Sequence, residues 1–132
     1  FFITKSLSLS VSCCLANFIF DFDHVLEYSL YCIKNKIEPS IGEFFSGEYF
    51  SKKGKLGVIF HGYEYIALLF FLFCLLSFLS NQINMLVLGV LIGYAEHMIF
   101  DLIGNDCSFK GYSLIYRILV KFKIDLICTK KK

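Results

Sequence analysis

Three long apolar segments, at about 7–22, 56–79 and 83–103, constrain this chain more than any other feature. A helix needs roughly 20 apolar residues to cross the hydrocarbon core of a bilayer. The second and third segments meet that length, and the first falls a little short. Hydrophobic residues make up 57% of the 132 residues, with 16 Phe among them. A soluble domain of this size could not bury so much apolar side chain, so the composition predicts an integral membrane protein. The expected fold is all-α: a single membrane-embedded domain over 1–132, with about three transmembrane helices and a C-terminal amphipathic helix. The net charge of only +2 gives no general case for nucleic-acid binding.

The stretch "SNQIN" at 80–84 is a polar turn and makes the second and third segments an antiparallel hairpin. Between the first two segments lies a polar stretch at about 27–55, whose Phe44, Phe45, Tyr49 and Phe50 suggest aromatic side chains in the headgroup zone. After the third segment, Leu114, Ile115, Ile118, Leu119, Phe122 and Leu126 recur at helical spacing among Arg117, Lys121 and Lys123. This predicts an amphipathic helix at the membrane surface. Lysines at 34, 36, 52, 53 and 55 and in the tail, including 130–132, contrast with none in the 80–84 turn. The positive-inside rule then puts the stretch and the tail in the cytoplasm, which makes this a multi-pass protein of the cytoplasmic membrane; Lys5 alone argues weakly the other way. The opening "SLSLSVSCCLANFIF" resembles a signal peptide, but no good small-residue cleavage site precedes "DFDH". It is read as a retained transmembrane helix, with room for sequence upstream because the chain opens on Phe1. Six cysteines occur with no C-x-x-C pair, and Cys13, Cys14 and Cys74 are expected to be small buried hydrophobes.

With that topology, "DFDH" at 21–24, "FHGYE" at 60–64 and "EHMIFD" at 96–101 all fall on one membrane face. These clusters hold all three histidines of the chain, each with a carboxylate nearby. His97 and Asp101, at i, i+4, share one helix face with Cβ atoms about 6 Å apart. His61 and Glu64 share the i, i+3 relation, as do Asp21 and His24. Asp23 converges with them if the stretch is a turn and points away if it is a regular helix. Helical bundles build metal sites from histidine and carboxylate in this way, and the donor set suits zinc, iron or manganese. Ionisable groups near hydrocarbon are costly, and a cation would offset that cost. Gly89 and Gly93 form G-x-x-x-G on the row that continues to His97 and Asp101, so the packed face of the third segment leads toward the site.

These motifs resemble those of the bacterial and archaeal membrane-bound metal-dependent hydrolases. D-x-D-H follows the first segment at Asp21, Asp23 and His24. H-x-x-E opens the second at His61 and Glu64. G-x-x-x-H-x-x-x-D closes the third at Gly93, His97 and Asp101. The chain departs from the family pattern at Phe20, where proline is usual, and at Gly62, which replaces a serine. A first-helix histidine also has no counterpart. The resemblance implies a metal site and hydrolysis. The expected ligands are Asp21, Asp23, His24, His61, His97 and Asp101, with zinc first and manganese or iron as alternatives. Glu64 or Glu96 would serve as general base. A site at the interface suggests a membrane lipid or another amphiphilic or phosphate-ester substrate. The rival expectation is a non-enzymatic membrane protein with a structural metal or a scaffolding role. A transporter subunit fits less well, because transporter sites lie near the bilayer midplane.

Overall fold

A computed structural model describes residues 6–105 and 107–128; Lys5 and the lysines at 130–132 lie outside the described residues. The described residues form helices and loops, with only isolated bridges between extended residues. Helix α1 (Leu7–Ile19) starts at Ser6, whose hydroxyl accepts from the Leu9 N–H. After a short turn at Phe20 and Asp21, α2 (Phe22–Asn35) runs to Lys36, which takes a left-handed backbone and ends it. Two one-turn helices follow, α3 (Ile41–Ser46) and α4 (Glu48–Lys53). Gly47, at φ 66°, makes the corner between them.

Helices α5 (Glu64–Ser80) and α6 (Met85–Gly104) form the hairpin expected around 80–84. Asn81 turns left-handed to close α5, and the Asn84 side chain accepts from the Val87 N–H to open α6. Helix α6 packs against both α1 and α5. Its inward residues Tyr94 and Met98 form a buried cluster with Tyr112, bordered by Phe20, Ile66 and Leu69.

The second apolar segment is not helical from its start. Residues 55–63 run as an irregular strap before α5 begins at Glu64. The strap's backbone donors are taken by other elements. Leu56 N–H donates to the Phe122 carbonyl at 2.9 Å, Gly57 N–H to Glu27 at 2.7 Å and Phe60 N–H to Asp23 at 2.7 Å. The expected C-terminal amphipathic helix is also corrected. It breaks into α7 (Leu114–Leu119) and α8 (Ile124–Ile127), because Lys121 and Phe122 both adopt left-handed backbone and reverse the chain. A Cys107–Cys128 disulfide ties that reversal back to the end of α6. Tyr49 is buried against Tyr28 and Cys32 rather than sitting among headgroups, whereas Phe45 is exposed. Cys14 and Cys74, expected to be buried, lie on the outer surface.

Large apolar side chains cover the outer faces of the long helices, among them Phe18, Phe70, Phe71, Phe78, Phe100 and Ile103. No residue of α5 is buried. Monomeric soluble proteins rarely expose so broad an apolar surface to water. Two segments, Leu7–Asn35 and Met85–Gly104, are long and apolar enough to cross a membrane, and the 17-residue α5 is a shorter apolar helix.

Candidate metal centre

Three parts of the chain meet at one end of the α5–α6 hairpin, opposite the 80–84 turn. The α1–α2 junction brings Asp21, Asp23 and His24. The strap brings His61. The C-terminal half of α6 brings His97 and Asp101. Asp21 occupies the cap position of α2 and Asp23 its first turn, where the helix dipole favours a carboxylate. The junction departs from a continuous helix, so both aspartates reach the same imidazole. Asp21 Oδ1 lies 3.3 Å from His61 Nε2, and Asp23 Oδ1 lies 3.4 Å from His61 Nδ1.

The Nε2 atoms of His61 and His97 are 3.0 Å apart. Asp21 Oδ1 stands 3.5 Å from His97 Nε2, and Asp101 Oδ2 stands 3.5 Å from His61 Nε2 and 3.6 Å from His97 Nε2. His61 Nε2 carries at most one hydrogen, yet it faces a second imidazole nitrogen and two carboxylate oxygens. A proton can satisfy one of these partners at a time, whereas a cation among them would satisfy all. Burial alone would hold the His61 imidazole, which lies in the strap outside the long apolar helices, below its ordinary value. The Asp21 and Asp23 carboxylates outweigh burial and raise it to about 9. The two carboxylates therefore favour positive charge at the His61 ring.

A tetrahedral ion bound at about 2.0–2.1 Å sets its ligands roughly 3.3–3.4 Å apart, so these separations fit such an ion. A second group, Asp23, His24 and His61, shares His61 with the first and has donor atoms within 4.8 Å of one another. Five of the six expected ligands thus fall into two overlapping groups rather than one shell, and Asp101 belongs to neither group but stands beside the His61 and His97 ring nitrogens. Asp23 Oδ1 and His61 Nδ1 are buried, and neither has another hydrogen-bond partner. Facing each other, they reproduce the carboxylate–histidine arrangement that orients a metal-binding ring. The His24 ring stands edge-on to His61 at 4.6 Å between centroids.

The two glutamates are placed differently. Glu64 accepts from the Ser113 hydroxyl at 2.5 Å and from the Leu114 and Ile115 N–H groups at 2.9 and 3.1 Å, capping α7. Glu96 is exposed and accepts from the Cys13 thiol on α1 at 3.7 Å. Neither hydrogen-bonds to the histidine cluster, so the geometry offers neither as the base next to the cluster.

Sequence reasoning missed the groups that fix the strap. Tyr94 is fully buried, and its hydroxyl accepts from the Gly62 N–H at 3.1 Å and lies 2.7 Å from the Phe60 carbonyl. The Arg117 guanidinium donates to the Val58 carbonyl. Both contacts join residues far apart in sequence, and no local pattern signals them. Tyr94→Phe is expected to cost about 1–3 kcal/mol, because it leaves buried backbone groups unsatisfied, and to weaken metal retention by loosening His61. Thermal unfolding together with bound-metal analysis would check this; wild-type behaviour in both would count against the strap as the support of His61.

A cavity of about 610 Å³ opens beside the cluster. Asp21, His24, His61 and Asp101 line one part of it, and Phe44, Phe45 and Phe50 line another. No family model, curated protein or solved structure matches this chain.

Proposed function

We propose that the chain is a membrane-embedded, metal-dependent hydrolase holding one divalent cation among Asp21, His61, His97 and Asp101. The observation that carries this reading is the convergence on His61 Nε2 of His97 Nε2, Asp21 Oδ1 and Asp101 Oδ2 at 3.0–3.5 Å. Two imidazoles with carboxylates suit zinc, and also iron or manganese. When bound, such an ion lowers the pKa of water and polarises an ester or phosphoryl oxygen. The chain's own residues then hold geometry. Asp23 orients His61 from the far side of its ring, and Tyr94 and Arg117 fix the strap that carries it. His24 lines the cavity next to the cluster, its ring centroid 4.6 Å from that of His61. The same residues carry the resemblance to membrane-bound metal-dependent hydrolases.

In this reading α1, α5 and α6 cross the membrane. Helix α5 rises about 26 Å over its length, close to the roughly 30 Å hydrocarbon core. The site then lies at the bundle end where Lys52, Lys53 and Lys55 gather, which the positive-inside rule makes cytoplasmic. The Cys107–Cys128 disulfide at that end pulls the other way, because disulfides persist mainly in oxidising compartments. A membrane-face site with an aromatic-lined cavity fits an amphiphilic substrate.

The test is turnover by the full chain purified in mild detergent and assayed on chromogenic carboxylic and phosphate esters. Hydrolysis should fall to background when a chelator removes the metal and return when one equivalent of zinc is restored. Full metal occupancy without turnover on either ester class would favour a structural metal site instead.

A further inference from the structure

We propose that Arg117 receives the phosphoryl group of a phosphate-ester substrate in the cavity that ends on Asp21, His61 and Asp101. Arg117 lines that cavity, yet it is only 1% exposed and is among the most deeply buried side chains of the described residues. Among the described residues its one hydrogen bond runs from Nη1 to the Val58 carbonyl, and its Nε has no partner. Among the described residues it forms no ion pair.

A guanidinium stays protonated even when buried. Burying a charge is costly unless an opposite charge or a full set of hydrogen bonds compensates it. Holding one carbonyl does not require a charge, since a neutral donor would serve. Among the described residues the Asp23 and Glu64 carboxylates act on the guanidinium only from beyond ion-pair distance, and an anionic ligand would complete its hydrogen bonds. A guanidinium fork matches two oxygens of a phosphoryl group.

The nature of the anion follows from the neighbouring cluster. A carboxylic ester is uncharged until its tetrahedral oxyanion forms, so on binding it would bring no charge to compensate a buried guanidinium. A phosphoryl group keeps negative charge on its non-bridging oxygens throughout transfer, and a second cation stabilises that charge. Asp21 and Asp101 would repel such a group, so the proposal rests on the metal-site reading given above, in which a cation neutralises them. In the reaction, a water oxygen adds to phosphorus, the P–O bond to the alcohol breaks, and a proton from the water ends on the released alcohol. Phe44, Phe45 and Phe50 on the cavity wall offer an apolar surface to an ester carrying a hydrocarbon group.

Orthophosphate, the product shared by phosphomonoesters, is the probe. Its binding to zinc-loaded full chain in detergent is measured by equilibrium dialysis, with bound zinc assayed in the same samples. Wild type should bind orthophosphate at millimolar concentration or below. Arg117→Met should weaken phosphate binding per bound zinc roughly tenfold or more, alongside some loss of zinc because Arg117 also holds the strap at Val58, and Arg117→Lys should fall between the two. Wild-type phosphate affinity in a zinc-bearing Arg117→Met protein would overturn the proposal and leave the metal site standing. If Arg117→Met does not retain zinc, Arg117→Lys decides, and an unchanged affinity there overturns the proposal. Zinc-loaded wild type that binds no phosphate also overturns it. Absence of zinc from wild type would overturn the metal reading instead, and the zinc assay reports that separately.

Discussion

A Gly93→Leu protein is expected to lose both stability and metal, because the glycine lies where the backbones of α1 and α6 nearly touch. A Cβ added at Gly93 would fall 2.3 Å from the Cys13 carbonyl oxygen and 3.0 Å from the Ala16 Cβ. One turn earlier, a Cβ at Gly89 would fall 2.0 Å from the Ser12 hydroxyl and 2.4 Å from the Leu9 carbonyl oxygen. At each glycine one of these contacts is with a backbone carbonyl oxygen of α1, which cannot swing aside as a side chain can. Even alanine would force the helices apart, and leucine adds three more carbons. Overpacking typically costs about 1–3 kcal/mol, and a forced backbone displacement belongs at or above the top of that range. The displaced α1 carries Asp21 at its end, so the site should open as the helices separate. Gly104→Leu is the control, since nothing lies within 4 Å of a Cβ there. It should stay within about 0.5 kcal/mol of wild type. Thermal unfolding and bound metal, measured on both variants, would decide. Equal melting of the two would contradict the close crossing of α1 and α6.

Removal of the His61 imidazole should have the largest effect on metal. His61 Nε2 faces Asp21, Asp101 and His97 while its Nδ1 faces Asp23, so no other ring touches as many members of the cluster. His61→Ala should retain almost no metal, and His97→Ala should behave similarly. Asp23→Asn should be milder. Loss of an outer-shell partner typically weakens binding by about 10–100-fold, because the ring is no longer held in orientation. Glu96→Gln should leave metal unchanged, because Glu96 faces the Cys13 thiol on α1 rather than the histidines. Chelator competition across the four proteins gives the order. A flat series, with His61→Ala binding like Glu96→Gln, would show that the cluster does not hold the ion.

The hairpin and the two long apolar segments were legible because hydrophobic run length reads directly as helix when the outer faces are apolar. Even the caps were local: Asn81 and Asn84 sit in the polar turn that separates α5 from α6. Hydropathy failed where non-local bonds decide the backbone. Residues 56–60 are as apolar as the helix that follows, but Glu27, Asp23, Tyr94 and the Phe122 carbonyl take up backbone N–H groups between 56 and 62 and hold this stretch as a strap. The C-terminal periodicity likewise gave no warning of the reversal at Lys121 and Phe122 or of the Cys107–Cys128 bond. The candidate site was partly readable, since spacing alone put His97 and Asp101 on one helix face. The division of work between Asp21 and Asp23 on opposite sides of one ring was not readable, because it depends on the turn between α1 and α2. The cap formed by Glu64 and the buried Arg117 are also products of tertiary packing. The sequence shows Glu64 as a neighbour of His61, whereas the structure turns its carboxylate toward the start of α7.

Zinc K-edge X-ray absorption on the detergent-purified full chain tests most directly whether Asp21, His61, His97 and Asp101 bind a cation. The spectrum should show only nitrogen and oxygen neighbours at about 2.0–2.1 Å, with the outer-shell scattering of two imidazoles. His97→Ala should remove the imidazole signal or the zinc altogether. A sulfur shell near 2.3 Å, zinc without imidazole scattering, or a wild-type protein that retains no divalent metal would contradict the site described here.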